Sequence, residues 1–140
     1  MRNVTLGIAA LLFFSCSDSP SGPDEGTSVA GSWDFRSFKL AGEPVATIVE
    51  PGFYTAEFTA DGQVSARADC NRCSASYSAA GPPWMTLEID ALACTRAYCG
   101  EASLFDDYVA ALDNATSFER SSSSLVIRHP RGTLRFVPKL

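Results

Sequence analysis

Apolar and polar residues alternate with a period of two along most of this chain, the pattern of strands with one buried and one wet face. Between Val29 and Leu40, Trp33 and Phe35 share one parity and Phe38 and Leu40 the other. The spacing predicts a first strand that starts just after Gly31 and carries a bulge. Ala41 to Gly52, with Gly42, Pro44 and Pro51, reads as a loop or short edge element. A second strand is predicted from Phe53 to Thr59, where Tyr54, Ala56 and Phe58 alternate with Thr55 and Glu57. Asp61-Gly62 then gives a tight hairpin turn, because glycine accepts the positive φ such a turn needs. In the return strand, Val64 to Cys70, one face holds Val64, Ala66, Ala68 and Cys70, so Cys70 is predicted to point inward. Tyr77 ends the next short strand, Gly81-Pro82-Pro83 interrupts the chain, and Met85, Leu87 and Ile89 form the apolar parity of a strand from Trp84 to Asp90.

The period changes once. Leu104, Phe105, Tyr108, Val109 and Leu112 fall on one 3.6-residue face, predicting a helix from Ser103 to Asn114. Ser103 reads as its N-cap, and Asp106 and Asp107 as structural acids at the positive end of the helix dipole. Alternation then returns. Thr116 to Arg120, a serine turn at Ser121 to Ser124, a strand with Leu125 and Ile127, the turn Pro130-Arg131-Gly132 and a strand with Leu134 and Phe136 complete the chain. Six to eight short antiparallel strands and one helix make an α+β domain, a mostly antiparallel, strongly curved sheet or partly closed barrel with the helix against one opening.

The first residues depart from this pattern. Arg2 followed by the apolar run Val4 to Phe14 reads as an export signal, residues 1–15, and is shorter than the roughly 20 residues that span a bilayer. Leu12-Phe13-Phe14-Ser15-Cys16 resembles the lipobox of bacterial lipoproteins, in which the cysteine becomes the lipidated first residue. Residues 16–28 contain Pro20, Gly22, Pro23 and Gly26 and have the composition of a flexible tether to the domain, residues 29–140. The expected location is therefore outside the cytoplasm, with a membrane partner reached through a lipid on Cys16. The position of Asp18 favours the outer membrane.

The 140 residues suffice for one domain, and a 46% hydrophobic, 19% charged composition argues against disorder. A net charge of -5 with no basic stripe excludes a nucleic-acid partner. Of five cysteines, lipidation would remove Cys16 and leave four, Cys70, Cys73, Cys94 and Cys99. They have the spacing of two disulfides, a zinc site or a redox dithiol. Export weighs against the last two, and Cys70-Asn71-Arg72-Cys73 does not open a helix in a βαβ unit. The reading is two disulfides and no metal. Three connectivities are open; the nested one, Cys70 with Cys99 and Cys73 with Cys94, keeps both pairs in register between antiparallel neighbours.

His129 has no second histidine or nucleophile in sequence patterns around it and reads as a solvent-exposed turn residue. There is no nucleophile elbow or phosphate-binding glycine loop, so neither a catalytic residue nor a cofactor is assigned. Trp33, Phe35, Phe53, Tyr54 and Phe58 read as core. The rivals to a non-enzymatic envelope module are a periplasmic carrier of a small apolar ligand lined by those residues, and a thiol-redox protein using Cys70 and Cys73.

Gly31-x-Trp33, Phe58 ahead of Asp61-Gly62, Cys70-Asn71-Arg72 with Tyr77, Thr95-Arg96 with Cys99, and the helix bearing Phe105 and Leu112 together resemble the META domain, or HslJ-like, family. The resemblance covers Ala30 to Leu140. It implies an exported, mostly antiparallel β domain with a helix and no assigned catalytic chemistry, in a family linked to bacterial heat-shock and envelope stress and to virulence or motility in protozoan parasites. Asn71, Arg72, Thr95 and Arg96 are its motif positions here. Asp69 stands where the family often has glycine, and Cys73 and Cys94 add a pair to the commoner Cys70 and Cys99, which supports the nested connectivity. An envelope protein partner is expected but not identified.

Overall fold

A computed structural model describes residues 26–47 and 52–140. The signal, Cys16 and the tether before Gly26 lie outside the described residues. The chain runs β1 (Gly31–Leu40), β2 (Ala46–Thr47), β3 (Tyr54–Phe58), β4 (Gln63–Ala68), β5 (Asn71–Ala80), β6 (Thr86–Ile89), β7 (Ala93–Cys94), α1 (Phe105–Asp113), β8 (Ser117–Arg120), β9 (Leu125–His129) and β10 (Gly132–Pro138). Neighbours are antiparallel in the order β10-β9-β8-β6-β5-β4-β3-β1, and β10 pairs back onto β1. The curved sheet is thus a closed eight-stranded barrel, the α+β architecture with no free edge in the ring. The short β2 and β7 extend the long strands β1 and β5 beside the ring.

The parity switch in the first strand is a real bulge. The β1–β10 register slips between Phe35 and Ser37, so the inward face passes from Trp33 and Phe35 to Phe38. Alternation elsewhere turns Ala56, Phe58, Val64, Ala66, Leu87, Ile89, Phe118, Leu125, Ile127, Leu134 and Phe136 into one core. Each large apolar side chain buried there stabilises the fold by about 1.5–3 kcal/mol relative to exposure.

Helix α1 closes one end. Tyr108, Ala111 and Leu112 are buried, with Phe105 and Val109 half-buried beside them. The ring of Tyr108 lies 5.0 Å from Phe35 and 5.4 Å from Tyr54, and its hydroxyl donates to the Thr55 carbonyl at 2.9 Å. The helix begins one residue later than its capping pattern suggests. Leu104 occupies the cap position, its N–H donating to the Tyr54 hydroxyl at 2.9 Å, while the Ser103 hydroxyl accepts from Phe105 N–H at 3.3 Å.

Other sequence expectations in the strands also need correction; the strand predicted from Trp84 begins at Thr86. Strand β4 ends at Ala68, which pairs with Asn71, so Asp69 and Cys70 are the two central residues of a tight turn. That turn breaks the parity: Cys70 is exposed, and Asn71 and Cys73 point inward instead. The turn was hidden because it contains no glycine. Asp69 nonetheless takes φ +58°, the region that favours glycine. Strand β5 continues past Tyr77 to Ala80. Phe53 stands 40% exposed beside β3 rather than in the core.

Register identifies two ends. Gly31, Phe58 and Val64 lie together at the entry end, where the chain joins the barrel. Leu40, Gly132 and His129 lie at the other, as do Tyr54, Ala68 and Asn71. At the entry end Arg120 Nη1 donates to the carbonyls of Ser28 at 2.8 Å and Ala30 at 2.9 Å. The same guanidinium lies 5.0 Å over the Trp33 ring, whose Nε1–H donates to the Val29 carbonyl.

Candidate functional site

The helix end gathers most of the residues that the sequence marks. Cys73 and Cys94 face one another across β5 and β7 and are bonded, and Cys70 is bonded to Cys99. The two bonds fasten the segment from Cys94 to Cys99 onto the start of β5. Asn71, 1% exposed, fills the space beneath it. Its Nδ2 donates to the Ala97 carbonyl at 2.9 Å and to Cys99 Sγ at 3.2 Å. Its Oδ1 accepts from the Thr95 hydroxyl at 2.9 Å and from Ala97 N–H at 2.7 Å. Both amide donors and both acceptor lone pairs are therefore used. Thr95 links the segment back to β5, its Oγ1 accepting from Arg72 N–H and its own N–H donating to the Arg72 carbonyl, each at 3.0 Å.

Asn71 and Thr95 thus shape backbone. Arg72 and Arg96 differ: both are exposed and have no carboxylate within ion-pair distance among the described residues. Arg67 is opposite Arg72 in the β4–β5 register, and its guanidinium lies 4.8 Å over Phe53. Tyr98, 82% exposed, projects from the stapled segment.

A second feature of this end was not legible in the sequence. Between α1 and the β9–β10 hairpin lies a cleft of about 260 Å³. Phe35, Phe38, Leu104, Tyr108 and Leu134 give it an apolar lining, Asp107 and Asn114 mark the helix side, and His129 and Arg131 the hairpin side. Of the aromatic residues offered as a possible barrel pocket, Trp33, Phe35, Tyr54 and Phe58 are buried in the core, and the space lies between barrel mouth and helix, where Phe35 alone of the four forms part of its wall. Phe38 and Leu40, displaced in parity by the bulge, were the available signal.

His129 is not a solvent-exposed turn residue. It ends β9 half-buried, and its Nε2 is buried with no hydrogen-bond partner among the described residues. Burial, and secondarily the nearby Arg131 charge, push its pKa below the usual histidine value. Burial likewise raises the pKa of Tyr54 and drives that of Tyr108 well up. Neither hydroxyl is poised to ionise; they tie helix to barrel. Among the described residues, no three His, Cys, Asp or Glu side chains are grouped to hold a metal ion.

A closed eight-stranded antiparallel barrel, plugged by one helix and crosslinked beside that plug, defines a compact β domain whose marked polar residues organise a loop. The family model of the META domain matches residues 27–139, and the chain belongs to the META-domain family. The fold is also similar to the 1.00 Å crystal structure of a DUF4847 family protein from Bacteroides vulgatus. That likeness has a TM-score of 0.56 at 15% identity, covering 79% of this chain and 93% of the other. No curated protein matches the sequence.

Proposed function

We propose that the protein is exported, lipid-anchored through Cys16 in the bacterial envelope, at the outer membrane, and works there as a non-enzymatic binding module with a role in envelope stress. The observation that carries the reading is the pair of disulfides at the helix end, a form of crosslink that persists in oxidising compartments and is rare in the cytosol. It agrees with the lipobox-like Leu12 to Cys16 and with a family that has no assigned catalytic chemistry. The chain enters the barrel at the end opposite α1, and at the helix end Arg72, Arg96 and Tyr98 are exposed, where a partner can reach them.

Mass spectrometry of the membrane-extracted protein tests the anchor: an acylated Cys16 at the start of the chain is expected, and an unmodified start elsewhere removes it. A pull-down from the envelope with the lipidated form tests for a protein partner. The thiol-redox reading competes on the exposure of Cys70. Thiol labelling without reductant separates them, because four blocked cysteines leave no attacking thiolate, whereas a reactive low-pKa thiol favours redox chemistry.

A further inference from the structure

Three places at the helix end offer chemistry that the fold does not consume: the exposed Arg72 and Arg96, the projecting Tyr98, and the cleft beneath α1. Only the cleft combines enclosure, apolar lining and unpaired polar groups. We infer that it binds a small molecule with an apolar chain or ring and a single carboxylate, the carboxylate lying against Arg131 and His129 and the apolar body along Phe35, Phe38 and Leu134.

Size sets the first limit. At about 260 Å³ the cleft falls just below the roughly 300–1,000 Å³ of pockets for drug-sized ligands, so it suits a molecule smaller than those. Its lining is mostly hydrocarbon, and covering that lining removes apolar surface from water. Charge sets the second. Arg131 is exposed at the tip of the hairpin and has no carboxylate within ion-pair distance among the described residues. Beside it His129, half-buried, forms part of the same wall of the cleft. Asp107, on the opposite side, repels an anionic head and so turns it toward the hairpin.

The site deepens the binding-module reading but does not depend on the anchor. A failure here would leave acylation of Cys16 untouched, and an unacylated Cys16 would leave the cleft untouched.

The test is an amide NMR titration of the exported chain carrying Cys16→Ser, so that no acyl group competes, with octanoate, octylamine and 1-octanol as probes. Octanoate should give saturable shifts at β1 beyond Phe35, at α1 and around His129 to Leu134, and bind about tenfold more tightly than octylamine, the scale of a charge-assisted contact. Arg131→Gln, at an exposed position, should reduce octanoate affinity by about tenfold and leave 1-octanol binding unchanged. Ala110→Trp, which places an indole over the cleft from an exposed helix position, should abolish binding of both. Saturation by octylamine at equal affinity, insensitivity to Arg131→Gln in the folded variant, shifts confined to another surface, or no saturable shift with octanoate would each overturn the proposal.

Discussion

Where the chain enters, one side chain holds the barrel shut: Arg120 caps two backbone carbonyls and covers Trp33. At the helix end the same task is divided among two disulfides, a buried asparagine and a nine-residue helix. At the entry end Val29 and Trp33 are buried and one cation is held in place over them. The helix end contains a long segment without regular structure and a cleft, so apolar burial alone does not fix it. Covalent bonds between residues 29 and 21 positions apart supply the missing constraint. The crosslinks hold the segment from Cys94 to Cys99, and the cleft lies apart from them, between α1 and the β9–β10 hairpin.

The largest effect should come from erasing the contrast. Reducing both disulfides is expected to lower stability by about 4–5 kcal/mol in denaturant titration, with amide exchange rising first between Ala93 and Gly100. Equal loosening at both ends would contradict the division. Arg120→Met attacks the other end: it keeps an apolar stem over Trp33 but uncaps Ser28 and Ala30, with an expected loss of about 2–3 kcal/mol. Its exchange signature should appear in residues 28–33 and leave α1 unaffected. Asn71→Ala returns to the helix end without touching a cysteine. Four hydrogen bonds lose their partner, and a loss of about 2 kcal/mol is expected with both disulfides still formed. Intact disulfides without a stability change would show that Asn71 merely accompanies the staple.

The smallest effect is a pH dependence. With its folded pKa lowered, His129 is neutral in both states at high pH, so no penalty exists there. As pH falls through the unfolded histidine value of roughly 6.5, the unfolded chain takes up the proton first and stability declines until the folded pKa is passed. Comparing the wild type with His129→Gln between pH 8 and pH 5.5 should show a steeper decline in the wild type. Identical slopes would place the imidazole in water.

The bulge, the helix and most strands are legible in the sequence. The parity switch from Phe35 to Phe38 announced the bulge, and the single 3.6-residue face announced α1, because both are local patterns. The sequence points Cys70 inward because Ala66, Ala68 and Cys70 keep alternating into a two-residue turn that has Asp69 at a position where glycine would mark it. Closure of the barrel rests on β1 pairing with β10, the longest separation in the sheet, and no local pattern encodes it. The cleft escaped for a similar reason. Its lining comes from Phe35, Tyr108 and Leu134, and only packing of the helix against the mouth brings them together. Asn71 and Thr95, motif positions of the family resemblance, are joints of the stapled segment, whereas Arg72 and Arg96 are exposed.

The intact mass of protein extracted from the membrane reads both ends at once. The account predicts a chain that begins at Cys16, carries acyl groups there, and lacks four hydrogens at Cys70, Cys73, Cys94 and Cys99. A chain that retains Met1, or an unmodified Cys16 with four free thiols, would contradict it.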